Sequence, residues 1–244
     1  MLIANPIYDT VFEYLMENID IAKGIIATII DEDIDHLDFT SNENIRKEDG
    51  KLHNYDFNYI ARIRRENGTF KKVLIELQKT NVSFDIMRFR RYLGEQYRKD
   101  DEIIREDGES GNEVLPIITI YFLGFYLSRT LPAVVKVNRH YLDVLSGQEI
   151  QERNDFIECL THDSYVIQIP ALHVQMRNRL EKVLSIFAQE NFVAGDHRLK
   201  SYSYETDDEL MVKILRQLEK AAADNEMLRQ LELEEMAIRE YNIV

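Results

Sequence analysis

At 244 residues the chain suits one large domain, or one domain with a small appendage. Hydrophobic residues at 45% and charged residues at 30% exclude wholesale disorder, and a single cysteine, Cys159, excludes an internal disulfide. The net charge of −14 argues against indiscriminate nucleic-acid binding, but the charge is polarised: Arg62 to Lys99 holds eleven Lys/Arg against four Asp/Glu, and Glu205 to Val244 holds eleven acids against five bases.

The first residues, MLIANPIYDTVFEYLMEN, lack the basic and apolar regions of a signal peptide. Asn5-Pro6 is expected to open a helix with Asp9 in its first turn, where the helix dipole favours a carboxylate. Val11, Phe12, Leu15 and Met16 supply its apolar face. A second helix is predicted over 19–30, too apolar for a surface element. Residues 31–52 are polar and acidic, with a turn signal at Asp49-Gly50.

The clearest pattern follows. Phe57, Tyr59, Ala61 and Ile63 alternate with Asp56, Asn58, Ile60 and Arg62, which is the period of a half-buried strand. Glu66-Asn67-Gly68 is a hairpin turn signal, and KKVLIELQ over 71–78 is a second strand. Ser83 or Asp85 is expected to cap a helix whose inner face carries Ile86, Phe89, Leu93 and Tyr97. Arg88, Arg91, Tyr92 and Glu95 fall on its other side.

Residues 106–112 are expected to form a polar loop, and 115–125 a strand buried on both faces. Its parent apolar stretch, Val114 to Leu127, is too short to span a bilayer. Further strands are predicted at 133–137 and 163–169, with a turn at His162-Asp163. A helix is predicted over 172–187, with Leu180, Val183, Leu184 and Phe187 inward. Cys159 is expected in the core. From Thr206, a plausible N-cap, Met211, Ile214, Leu218, Ala221, Asn225 and Leu228 keep a 3,4 spacing. That spacing fits either a short coiled coil joining copies of the chain or an amphipathic helix folded back on the domain.

Asp56 and Glu76 stand out chemically, because acids are disfavoured in sheet centres. Glu76 and Gln78 lie two apart on one strand and so share a face. Paired carboxylates on a sheet repel unless a cation such as Mg²⁺ joins them through oxygen ligands. A metal so held polarises a phosphodiester oxygen and lowers the pKa of an attacking water. Asp9 is a candidate third carboxylate. Six histidines without ligand spacing give no expectation of zinc. No P-loop, dinucleotide-binding or nucleophile-elbow motif is present.

Four features carry a resemblance: Tyr8, Asp9 and Phe12 as a Tyr-Asp-x-x-Phe opening; the aspartate-led strand and Gly turn from Asp56 to Gly68; VLIELQK from Val73 to Lys79; and the arginine-rich IMRFRRYLGEQY from Ile86 to Tyr97. Together they resemble the PD-(D/E)xK nuclease superfamily, in its transposase-associated branch, over roughly residues 4–200. The resemblance implies an α/β fold with a restriction-endonuclease-like core, a mixed central sheet flanked by helices, over 1–205, followed by an acidic helical tail over 206–244. It implies a Mg²⁺- or Mn²⁺-dependent DNA endonuclease, or a nuclease-like component of a mobile element; the single cysteine fits a reducing compartment, and a cytoplasmic location is expected. Asp56 and Glu76 would be metal ligands, with Asn58 or Ile60 as alternative alignments of the aspartate, and Asp9 the acid of the first helix. Gln78 stands where most of the superfamily has lysine. Arg88, Arg90, Arg91 and Lys79 would meet phosphate. Gln78 and Glu13, the latter standing where the branch usually has a base, leave a second reading open: a catalytically inactive nuclease-like scaffold that binds or oligomerises. No membrane partner is expected.

Overall fold

A six-stranded mixed sheet organises the chain. The computed structural model describes residues 1–40, 56–64, 70–80, 86–98, 100–104, 110–174, 176–203 and 205–241; at 40, 56–58, 70–72, 74, 76–80, 86, 88, 92, 101–104, 110, 112–113 and 240–241 it describes the backbone alone. A short strand β1 (Leu2–Ala4) leads through a turn into helices α1 (Asp9–Met16) and α2 (Ile19–Ile30). Three strands follow: β2 (Ile34–Thr40), β3 (Asp56–Arg64) and β4 (Phe70–Thr80). Helix α3 (Ile86–Gln96) and a small two-stranded sheet, β5 (Asp101–Ile104) with β6 (Ser110–Glu113), precede β7 (Ile117–Leu123). Then come β8 (Val134–Val137), the hairpin β9 (Tyr141–Leu142) and β10 (Glu149–Ile150), α4 (Asp155–Leu160) and β11 (His162–Gln168).

The main sheet runs β2-β3-β4-β7-β11-β8. The pairs β2/β3, β3/β4 and β11/β8 are antiparallel, whereas β4/β7 and β7/β11 are parallel. The α3 crossover is what a parallel β4/β7 pair requires. The chain is therefore mixed α/β. The hairpin predicted over 55–78 is present; its turn, Glu66-Asn67-Gly68, lies outside the described residues, as do Asp49-Gly50 and the proposed caps Ser83 and Asp85.

One face of this sheet is hydrocarbon. Tyr59, Ala61, Ile63, Ile75, Ile120 and Phe122 are fully buried there. Phe12 of α1 meets Phe122 edge-on at 5.4 Å between centroids. Ile21, Ile25, Ile26, Ile29 and Ile30 of α2 join the same cluster. The Tyr59 hydroxyl donates to the carbonyl of Met16 at 2.9 Å and that of Tyr165 to Ile30 at 3.1 Å, so two sheet tyrosines satisfy terminal carbonyls of α1 and α2. Burial pushes the Tyr59 hydroxyl far above the ordinary phenol value, so it stays a donor.

The C-terminal part closes the same core. Helix α5 (Arg179–Leu184) leads into β12 (Phe192–Val193) and β13 (Asp196–Ser201); β13 pairs with both β1 and β12. Helices α6 (Glu209–Ala223) and α7 (Asn225–Tyr241) complete the chain. Met211, Ile214, Leu218 and Ala221 are buried in the main cluster. The 3,4 spacing of the tail thus faces inward, and the alternative of a helix folded back on the domain is the one observed. Nor does one helix carry the seam through Asn225: α6 stops at Ala223, and the Asp224 side chain accepts from the backbone of Glu226 and Met227 to start α7. Asp208, not Thr206, caps α6, accepting from Leu210 and Met211.

Other expectations also shift. Residues 31–52 contain a strand, β2, in their described part. Asn5-Pro6 lies in a turn, three residues before helix α1 begins. The predicted 172–187 helix starts only at Arg179, where Asn178 caps it by accepting from Glu181 at 2.9 Å. Ser110–Asn112 belongs to β6 rather than to a loop, and His162-Asp163 opens β11 rather than forming a turn. Cys159 is half-exposed on α4 rather than in the core.

Candidate functional site

The second face of the main sheet carries the residues singled out by the sequence. Backbone register sets three rows of positions across it. The first is Asp38, Ile60, Leu74, Ile117 and His162. The second is Thr40, Asn58, Glu76, Thr119 and Ser164. The third is Asp56, Gln78, Tyr121 and Val166. The middle row is polar from β2 to β11.

Paired positions share a face, so Asp56, Asn58, Glu76 and Gln78 occupy one patch of the β3/β4 hairpin. Asp56 opposes Gln78 and lies diagonal to Glu76. Diagonal neighbours on one face have side-chain roots about 7–8 Å apart, close enough for long side chains to meet. The donors at these four positions are carboxylate and amide oxygens, the set that a hard divalent cation takes. Among the described residues no group of three or more His, Cys, Asp or Glu could hold a metal ion; the side chains of Asp56 and Glu76 lie outside that statement. Lys79 pairs in register with Phe122, so its position falls on the hydrocarbon face.

Helix α3 lies across this second face. Its Leu93 packs with Ile60, Leu115 and Ile117, and its Phe89 ring sits 5.1 Å from that of Tyr121. Arg90 and Arg91 are exposed on it; the side chain of Arg88 is outside the described set. At its end the Tyr97 hydroxyl is 2.8 Å from Nδ1 of His162. Burial, followed by the Arg139 charge, holds His162 below the ordinary imidazole value. Beside the Glu76 position, the fully buried Thr119 donates its hydroxyl to Oγ of Ser164 at 2.8 Å.

Asp9 sits elsewhere. It is buried in the first turn of α1, the helix packed on the hydrocarbon face. There the Glu234 carboxylate of α7 accepts from the backbone of Asp9 at 2.6 Å and Thr10 at 3.2 Å, and from the Thr10 hydroxyl at 3.0 Å. A carboxylate capping orphan N–H groups is favoured by the helix dipole. The structure therefore brings Asp56, Glu76 and Gln78 to one patch and leaves Asp9 with α7.

A cavity of about 300 Å³ opens at the far end of the hydrocarbon face, lined in part by Lys136, Arg139, Glu158, Asp163 and Tyr165. Arg139 is saturated within it. Its Nε donates to Asp163 at 3.0 Å, Nη2 to Glu158 at 2.8 Å, and Nη1 to the carbonyls of Glu158 and Thr161. Burial pulls Asp163 upward, but the Arg139 hydrogen bonds and charge outweigh it and hold the carboxyl below the usual range. The network ties β8, α4 and β11 together. No sequence signal marked it, because its partners lie 19 and 24 residues apart.

Among the described residues no helix is long and apolar enough to cross a membrane. No family model, curated protein or solved structure matches the chain.

Proposed function

We propose that the chain is a nuclease-like protein of the PD-(D/E)xK type, with a restriction-endonuclease-like core, that hydrolyses DNA phosphodiester bonds with a divalent metal. The observation that carries this reading is the β3/β4 register, which groups the positions of Asp56, Glu76 and Gln78 on the sheet face crossed by α3. A mixed sheet with helices on both faces is in keeping with such a core.

In this reading Asp56 and Glu76 hold Mg²⁺ or Mn²⁺. Bound there, the ion would polarise the scissile phosphate and acidify a water. Gln78 orients the attacking water through its amide but adds no positive charge. Arg90 and Arg91, with Arg88, bind the backbone phosphates, contacts that position DNA without specifying sequence. The test is plasmid nicking. Cleavage that needs Mg²⁺ or Mn²⁺ and falls at least about a hundredfold in Glu76→Ala supports the proposal; nicking that survives the substitution removes it.

The absence of lysine at 78 and the net charge of −14 favour a second reading, a nuclease-like scaffold without catalysis. It predicts no nicking with either metal.

A further inference from the structure

The strand pair β9/β10 forms a short finger with apolar residues at its tip. Its turn is locked. The Asp143 carboxylate accepts from the Leu145 backbone at 2.9 Å and from the Ser146 hydroxyl at 2.5 Å, and Gly147 adopts a φ of +71° while donating to the Asp143 carbonyl. This mount holds Val144 and Leu145 in solvent, 93% and 98% exposed. Next to it, α4 buries none of its residues, and Phe156 is 73% exposed with Leu160 also exposed. The two elements are braced together: the Tyr141 hydroxyl donates to Glu158 at 2.5 Å, and the Arg153 guanidinium lies 4.9 Å above the Tyr141 ring. Single exposed apolar residues are ordinary, but several grouped on a rigid mount mark an interaction surface.

Charge indicates the occupant. Residues 141–160 hold five acids and one base; Glu158 is engaged by Arg139, but Glu149, Glu152 and Asp155 are exposed, so this apolar surface is acidic and unsuited to nucleic acid or an anionic membrane. The complementary surface is on the chain itself. Helix α3 exposes Arg90 and Arg91 beside Met87, which is 56% exposed. Its C-terminal end reaches His162, the first residue of β11 and two residues past α4, through the Tyr97–His162 contact. An apolar-acidic patch and an apolar-basic patch are therefore carried by connected elements of each molecule. A two-fold axis turns such neighbours into a reciprocal, closed contact.

We propose that the 141–160 finger and α4 dock on α3 of a second copy, giving an isologous dimer. The finger and α4 lie outside the residues of the nuclease reading, but that reading shares Arg90 and Arg91 with the α3 half of the surface. DNA bound at Arg90 and Arg91 would compete with it, so the test uses full-length protein free of nucleic acid.

Sedimentation equilibrium at low salt is expected to give about twice the 28.8 kDa monomer mass, with association weakening as salt rises. The double variant Val144→Asp, Leu145→Asp is expected to weaken association at least about tenfold. Its far-UV circular dichroism, and its urea midpoint at a concentration where both proteins are monomeric, should not change, because both side chains stand in solvent. Arg90→Glu, Arg91→Glu is expected to weaken association similarly. Three results would each overturn the proposal: a monomer at every concentration, a dimer indifferent to the finger variant, or a dimer indifferent to the α3 variant.

Discussion

The two faces of the central sheet are built from the same strands and obey different rules. On one, Tyr59, Ile75, Ile120 and Phe122 are sealed beneath α1 and α2. On the other, the row from Thr40 through Glu76 to Ser164 is polar, and α3 packs across the face through Leu93 and Phe89. A strand alternates its side chains, so each residue serves the core or the open face but not both. The large hydrophobic cluster lies on the first face; the second carries a small cluster beside the polar row.

The largest expected effect breaks the sealed face. Deleting 206–244 removes Met211, Ile214, Leu218 and Leu231 from the core. The loss is expected to exceed the roughly 5–15 kcal/mol by which a domain is stable, so the truncated chain should be unfolded by circular dichroism. Next, Phe122→Ala should cost about 3–5 kcal/mol in urea unfolding. Glu234→Ala, which uncaps α1, should cost about 0.5–2 kcal/mol by the same measurement. On the open face, Arg91→Ala should stay within about 0.5 kcal/mol of the parent protein while lowering DNA affinity at low salt.

His162, on the open face but held beneath Tyr97, sharpens the contrast through pH. Its folded pKa is lowered, so the unfolded chain takes up a proton first as pH falls. Its contribution to stability is complete above the ordinary imidazole value of about 6.5 and is lost as pH drops through the lower folded value. Urea midpoints measured across that range should fall in the parent protein and fall less in His162→Gln.

The sequence made the sealed face legible where its periods were unbroken. The predicted 19–30 helix coincides with α2, and the alternation from Phe57 to Ile63 matches β3. Strand β2 escaped because a bulge between Ile34 and His36 adds a residue; Ile34 and Leu37 both reach the core three apart, and the two-residue period disappears. The late start of α5 did leave a signal in Asn178 and Glu181, a cap residue followed three later by glutamate. The tail's seam was visible as a period, but a period does not say whether an apolar stripe meets its own domain or another copy. Of the site, the grouping of Asp56, Glu76 and Gln78 followed from hairpin logic. The Arg139 network did not, since only tertiary folding joins its members. The exposure of Val144 and Leu145 was equally hidden, because isolated apolar residues in a loop look the same whether buried or not.

The central claim is that Asp56 and Glu76 share one divalent ion, and Mn²⁺ binding measured by electron paramagnetic resonance tests it most directly. The account predicts about one ion per chain, lost in both Asp56→Asn and Glu76→Gln while the circular dichroism spectrum is kept. No Mn²⁺ binding by the parent protein, or binding that survives both substitutions, would contradict it.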